Sequence, residues 1–343
     1  MEATSAPSTP DDPSTTLIDA PDDVATRRTS VRRGAVEYGP VAALIFMTVA
    51  VNVWWVRTNR VGFPFDIDEA GYLQRSLVDA WHLSNDGLGG FIGQLRGGDP
   101  QAPLLPATAA VVRSVTGTGL VGMMLVQQLW YTILVVATWC AARRVIHRWG
   151  ALAAAVIVAT IPAVFISSRT FQFALIAAAT VTAALAAQLR AGPFDRLGRA
   201  VVWGVLLGIA ALSRTMVLGL LPGLVLAATM RVIGAGPILV RLRNLGLGLL
   251  AGMLTAWTWY SASWRNVLDY LSSYGYGAHA DDYGKQASLL STTWWTNRPI
   301  HIVSDALWAP TTLLLAALML LGLGGVIAPR VRRAIAAPTD VGP

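Results

Sequence analysis

Long apolar runs almost free of charge recur along this chain, and they limit what it can fold into more than any other feature. A helix needs roughly 20 predominantly apolar residues to cross the hydrocarbon core of a bilayer. Hydrophobic residues make up 54% of the sequence and charged residues 13%, which is more apolar surface than a soluble domain of this length hides. The sequence therefore predicts an all-α integral membrane protein of about eight transmembrane helices, near residues 39–57, 117–142, 150–167, 170–189, 200–212, 215–231, 243–260 and 308–328.

Arginine placement tests these spans, because loops that stay in the cytoplasm carry an excess of basic residues. Arginines precede the first span and follow alternate spans after it: Arg27, Arg28, Arg32 and Arg33; Arg143, Arg144 and Arg148; Arg190, Arg196 and Arg199; Arg231, Arg241 and Arg243; and Arg330, Arg332 and Arg333. This alternation predicts a multi-pass protein of the cell membrane with both termini in the cytoplasm.

The domain plan follows from that orientation. Residues 1–38 are rich in Ser, Thr, Pro and Asp and predict a disordered cytoplasmic tail. Residues 39–328 form the transmembrane domain, with long extracytoplasmic loops at 58–101 and 261–307, and residues 329–343 form a second cytoplasmic tail. Outside the tails, every acidic residue except Asp195 lies in these two outer loops.

Charge and residue usage exclude several classes of function. The net charge is +7, but the arginines stand dispersed at the ends of apolar runs, where they meet lipid headgroups, so nucleic acid is not an expected partner. No span contains a carboxylate, which counts against an ion-coupled transporter. The single cysteine and the scattered histidines lack metal-ligand spacing, so no metal site is expected from them.

The first outer loop opens with an acidic segment directly after the first span. Its carboxylates are Asp66, Asp68 and Glu69, and Tyr72 follows one helical turn later. Clustered carboxylates raise one another's pKa toward values useful to a general base, unless a cation binds between them. The alternative is an acidic turn that caps an interfacial helix, since Asp and Glu favour helix amino termini.

Three further segments are candidates for ligand binding. Asp99 lies in a Gly/Pro turn, where it either caps the next helix or joins a site. Arg169 and Arg214 each follow a serine at a predicted outer end of a span, where a guanidinium either binds an anion such as phosphate or snorkels to headgroups. Tyr276 and Lys285, in the aromatic-rich second loop, contact either a sugar phosphate or the membrane interface.

The order of these motifs resembles the polyprenyl-phosphate-dependent glycosyltransferases of the GT-C type, particularly the bacterial group related to protein O-mannosyltransferases and lipid A aminoarabinose transferases. The resemblance covers about residues 39–300. The motifs are Asp68-Glu69-Ala70-Gly71-Tyr72 after the first span, the Pro103-Leu104 turn, the segment from Gly208 to Arg214, and a Trp-rich span end before the second outer loop.

The resemblance implies a cell-envelope enzyme that transfers a sugar from a polyprenyl-phosphate donor to an extracytoplasmic hydroxyl, with inversion. Asp68 would be the catalytic base, Glu69 would orient it or the acceptor, and Arg169 or Arg214 would hold the leaving phosphate. Asp66, Tyr72, Asp99, Tyr276 and Lys285 complete the expected substrate site. The partners would be a lipid-linked sugar, a glycan, lipid or protein acceptor, and membrane lipids; no cofactor is required, although a divalent cation fits the carboxylates.

Two departures from that family leave alternatives open. Aminoarabinose-type relatives carry a His-Pro-Pro turn where this chain has Asp99-Pro100-Gln101-Ala102-Pro103. Relatives also commonly have eleven or more spans and a carboxy-terminal domain, so this chain is expected to be a compact or shortened member. The alternatives are a non-catalytic membrane protein of envelope assembly and a lipid-linked sugar transporter.

Overall fold

The computed structural model describes residues 22–60, 66–97, 99–233 and 238–275, and every regular element in these ranges is helical. The helices are α1 (Asp22–Asn59), α2 (Ile67–Asn85), α3 (Gly87–Leu95), α4 (Leu104–Thr116), α5 (Leu120–Met124), α6 (Val126–Ala142), α7 (Arg148–Thr160), α8 (Pro162–Ser167), α9 (Phe173–Ala191), α10 (Leu197–Ala211), α11 (Leu221–Ile233) and α12 (Ile238–Tyr270). A 3₁₀ turn, Thr215–Gly219, precedes α11, and a π turn, Leu271–Gly275, ends α12.

Within the described residues, five stretches are long and apolar enough to cross a bilayer: Tyr38–Asn59, Leu120–Ala142, Phe173–Ala191, Thr215–Ile233 and Ile238–Ser273. Three shorter apolar helices, α4, α7 and α10, accompany them. The prediction of an all-α membrane protein is confirmed. The predicted span near 308–328 and most of the second outer loop lie outside the described residues.

Two helices extend past their predicted ends. Helix α1 begins at Asp22, so residues 22–38 are helical where a disordered tail was predicted. Helix α12 continues to Tyr270 although the second outer loop was predicted from 261, because Trp259, Ser263 and Val267 recur at helical spacing and are buried.

The first outer loop folds into two helices, α2 and α3, that pack beside α4. Ala80 of α2, Phe91 of α3 and Ala110 of α4 form a small buried cluster that holds the three helices together. Gly117 has a φ of 66°, a left-handed conformation that ends α4, so Leu104–Thr116 form a short helix separate from the predicted second span.

Two apolar cores lie between the spans and share α9. The first contains Tyr131 and Val135 of α6 with Ile176 of α9. The second contains Ala184 of α9 and Trp203 of α10. Helix α9 therefore ties the amino-terminal helices to α10, α11 and α12.

Helices α10 and α12 approach closely through a stripe of glycines. A Cβ added at Gly204 would lie 1.7 Å from the Gly248 carbonyl oxygen, and one at Gly208 would lie 2.4 Å from the Gly252 carbonyl oxygen. Small residues at four-residue spacing let transmembrane backbones touch, which is the usual basis of tight helix pairing in a bilayer. This contact fixes where the carboxy-terminal half of α10 lies.

We expect Gly204→Ala to destabilise the protein, because the methyl group can fit only if the two backbones separate. Overpacking of this kind costs about 1–3 kcal/mol or more. Gly246→Ala is the matched control, since a Cβ there meets nothing within 4 Å. The measurement is the thermal unfolding midpoint of each variant in the same detergent, and equal midpoints for the two variants would contradict the close packing.

Candidate functional site

Asp66 caps the amino terminus of α2. Its Oδ1 accepts a hydrogen bond from the Glu69 amide at 2.7 Å, and its Oδ2 accepts one from Nε2 of Gln172 at 2.7 Å. The sequence left open whether the acidic segment caps a helix, and Asp66 does so. Its bond from Gln172 also ties α2 to the turn before α9.

Glu69 points into the protein and is buried. Its carboxylate forms an ion pair with Arg60 at the end of α1, and Oε1 accepts a hydrogen bond from the Phe171 amide at 2.5 Å. Both side chains of the pair have 0% exposure. Glu69 thus joins α1, α2 and the turn before α9.

Asp68, in contrast, is exposed on α2. Its carboxylate makes no hydrogen bond or ion pair with any residue that the structure describes. Of the three clustered carboxylates, Asp68 alone is therefore available to a ligand within the described part of the chain.

Arg214 and Tyr72 line a cavity of about 50 Å³ at the same end of the bundle. The rest of the lining comes from four segments: Gln101 and Ala102, Phe173, Thr215 and Met216, and Tyr270. One water needs roughly 10–15 Å³ of such a cavity, so this one holds a few waters or a phosphate-sized group. Arg214 is exposed and has no carboxylate partner within the described ranges.

The electrostatics of Tyr72 show that Asp68 and Arg214 act on one place. The pKa of Tyr72 is raised to about 12, first because its hydroxyl is withdrawn from water and then because the Asp68 carboxylate lies near; the Arg214 guanidinium opposes the rise. Tyr72 also packs edge-on against Phe173, with 4.5 Å between ring centroids. Tyr72 and Arg214 therefore line one cavity, and the Asp68 carboxylate lies outside its lining but near enough to Tyr72 to affect its pKa.

The Gly/Pro turn holds two sides of the site together. Asp99 pairs with Arg75 of α2 through Oδ2 at 2.9 Å and accepts from the Gln101 amide through Oδ1 at 2.7 Å. On the other side, the Thr215 hydroxyl donates to the Pro100 carbonyl at 2.7 Å. Asp99 does not line the cavity and does not cap α4; it fixes the turn that lies between α2 and Arg214.

A second carboxylate of α2, Asp79, is fully buried near this turn. Burial raises its pKa to about 6, against the opposing effect of Arg75. Neither Asp79 oxygen has a hydrogen-bond partner within the described ranges. Arg75 thus interacts electrostatically with Asp79 and forms an ion pair with Asp99. It does not line the cavity.

Arg169 lies away from the cavity. Its Nε donates to Oδ1 of Asn52 at 3.0 Å, and its guanidinium carbon lies 3.7 Å from the Phe165 ring centroid and 4.6 Å from that of Trp55. These contacts attach the turn between α8 and α9 to α1. Of the two arginines predicted to hold a phosphate, Arg214 is the one that the structure brings to Tyr72.

Four polar or aromatic residues of the cavity lining were not predicted from the sequence as site residues: Gln101, Phe173, Thr215 and Tyr270. Only Thr215 could have been suspected from the sequence, because it directly follows Arg214, a predicted site residue. Gln101, Phe173 and Tyr270 come from separate turns and helix ends. Tyr276 and Lys285 lie outside the described residues. Within the described ranges, no group of three His, Cys, Asp or Glu side chains is placed to hold a metal ion.

The comparison with protein families is consistent with this geometry. The model of the dolichyl-phosphate-mannose-protein mannosyltransferase family matches residues 100–260. The match supports a membrane glycosyltransferase of the GT-C type; it covers just under half of the chain, including Arg214 but not the acidic segment of α2. No curated protein matches the chain.

Proposed function

We propose that this protein transfers a sugar from a polyprenyl-phosphate donor to a hydroxyl on the extracytoplasmic side of the membrane, with inversion at the anomeric carbon. The observation that carries the proposal is that Arg214 lines a cavity together with Tyr72, while the exposed Asp68 carboxylate, one helical turn before Tyr72, is near enough to raise the pKa of that tyrosine. Sugar transfer from a lipid phosphate needs a base for the acceptor and a cation for the leaving group.

The proposed reaction is a single displacement. Asp68 takes the proton of the acceptor hydroxyl while the acceptor oxygen forms a bond to the anomeric carbon of the sugar. The bond from that carbon to the phosphate oxygen breaks, and the electron pair leaves with the lipid phosphate. Arg214 balances the negative charge that develops on this phosphate.

An apolar cavity next to Arg214 fits the lipid part of such a donor. It has a volume of about 310 Å³ and is lined almost entirely by α10, α12 and the start of α11, including Leu218, Leu221 and Trp257. The hydroxyl of Tyr260, which also lines it, donates to the Ala211 carbonyl at 3.0 Å, directly before the turn that carries Arg214. A polyprenyl chain in this cavity would lead its phosphate to Arg214.

We expect Arg214→Gln to lower kcat/KM for transfer by about 10²-fold, the usual loss when one donor to a developing negative charge is removed. Arg214→Lys should recover part of that loss, since the charge returns without the bidentate geometry. The assay is transfer of labelled sugar from polyprenyl-phosphate donors in membranes that contain matched amounts of each variant.

Arg57→Gln is the matched control, because Arg57 is exposed at the same end of the bundle and does not line the cavity. It should transfer at the wild-type rate. Absence of transfer by the wild type from every polyprenyl-phosphate sugar supplied would refute the enzyme proposal and favour the non-catalytic alternative. Equal rates for Arg214→Gln and wild type would refute the role given to Arg214.

A further inference from the structure

At the opposite end of the bundle, three arginines line a cavity that the proposed reaction does not use. The cavity has a volume of about 540 Å³ and is lined by Ala187, Arg190, Arg196, Gly198, Arg199 and Val202. It lies between the end of α9 and the start of α10, on the face that the arginine pattern predicts to be cytoplasmic. The proposed reaction uses no residue on this face.

The three arginines are not neutralised by the protein. None of Arg190, Arg196 and Arg199 pairs with a carboxylate within the described ranges, and all three are exposed. Arg199 donates only to the Arg190 carbonyl, at 3.3 Å. Their positive charges therefore converge on the cavity without a partner of opposite sign.

Neighbouring arginines show that pairing is available on this face. The Asp195 carboxylate, next in sequence to Arg196, accepts from Nε of Arg241 at 2.6 Å. Arg231 donates to the Gln188 carbonyl at 3.4 Å. The carboxylate adjacent in sequence to Arg196 is thus already paired with Arg241, and the positive charge of the three cavity arginines is not neutralised by it.

Apolar side chains continue from the cavity along the outside of the helices. Val202 of α10 is 56% exposed, and Leu197 and Leu185 nearby in the same two helices are 42% and 38% exposed. Exposed apolar side chains thus lie in the same two helices as the exposed arginines. The combination suits a molecule with an anionic head and an apolar tail.

We infer that this cavity, bounded by Arg190, Arg196 and Arg199, binds the headgroup of an anionic phospholipid. Basic pockets between transmembrane helices on the cytoplasmic side commonly bind phosphate headgroups, and each basic residue near the surface strengthens the attraction. Guanidinium groups suit phosphate because they donate two parallel hydrogen bonds. The lipid chains would lie along Leu185 and Val202.

The test is native mass spectrometry of the full chain in detergent with added phosphatidylglycerol or phosphatidylcholine of identical acyl chains. We expect phosphatidylglycerol to bind more tightly than phosphatidylcholine. The triple variant Arg190→Gln/Arg196→Gln/Arg199→Gln should bind phosphatidylglycerol at least about tenfold more weakly. The corresponding triple lysine variant should keep most of the affinity for phosphatidylglycerol. That result would show that the glutamine variant binds weakly because it lacks positive charge and not because it misfolds.

Arg148→Gln is the matched control on the same face, since the Arg148 guanidinium lies over the Trp149 ring, 5.1 Å from its centroid, and outside the cavity. It should bind phosphatidylglycerol as the wild type does. Equal binding by the triple glutamine variant, or equal affinity of the wild type for both lipids, would overturn the inference. Displacement of the lipid by equimolar glycerol 3-phosphate would also overturn it, because the ligand would then be a soluble phosphate.

Discussion

Asp68→Asn is expected to reduce sugar transfer by about 10²–10⁴-fold, the range that a positioned general base contributes. The amide cannot accept the acceptor proton, so the displacement loses the group that activates its nucleophile. Folding should change by less than about 0.5 kcal/mol, because Asp68 is exposed and bonded to no described residue. The measurements are the transfer rate and the thermal unfolding midpoint of the same preparation.

Asp86→Asn is the matched control for this prediction. Asp86 is an exposed carboxylate at the other end of α2, 2.6 Å from Nδ1 of His82, and it lies away from the cavity. Its substitution should leave transfer unchanged. Wild-type transfer by Asp68→Asn at matched protein levels would remove Asp68 from the mechanism while leaving the glycosyltransferase proposal open.

The spans could be predicted from the sequence because membrane crossing depends on local properties. A run such as 170–189 needs only length and apolar composition to be recognised, and α9 covers Phe173–Ala191. Even the shortness of the predicted segment 200–212 has its counterpart in α10, Leu197–Ala211. The helical start at Asp22 was missed because low hydropathy favours a tail, whereas a polar segment can also extend the helix of the apolar span next to it.

The division of roles among the acidic residues could not be predicted, because it depends on partners that are distant in sequence. Asp68 and Glu69 are adjacent, yet one faces solvent and the other meets Arg60 and the Phe171 amide. The sequence supplies the periodicity of α2 but not the position of Phe171, 102 residues away. Burial and the identity of the partner therefore separate Asp68, the proposed base, from Glu69.

The same reason explains why Arg169 and Arg214 were equivalent candidates. Each follows a serine at the outer end of an apolar run. Only the packing of α1 against the turn before α9 brings Asn52 to Arg169, while no described carboxylate reaches Arg214. A local motif identifies an arginine at the membrane surface, and the tertiary contacts decide whether it is already engaged.

Glu69→Gln is expected to lose transfer by a different route, through the fold rather than the chemistry. Removing one partner of a buried ion pair costs about 3–5 kcal/mol in free energy of unfolding, because the other charge stays buried and loses this partner. The unfolding midpoint should therefore fall together with activity, whereas Asp68→Asn loses activity alone. Measuring both quantities on both variants separates the two adjacent carboxylates.

The double variant Arg60→Gln/Glu69→Gln decides whether the ion pair is the cause. Since the double variant buries no charge, it should be more stable than Glu69→Gln, with a coupling free energy above about 1 kcal/mol between the two sites. Asp195→Asn provides the comparison with a carboxylate that is 53% exposed in its pair with Arg241, where the loss should stay below about 1 kcal/mol. Additive losses at Arg60 and Glu69 would contradict the pairing as the link from α1 to α2.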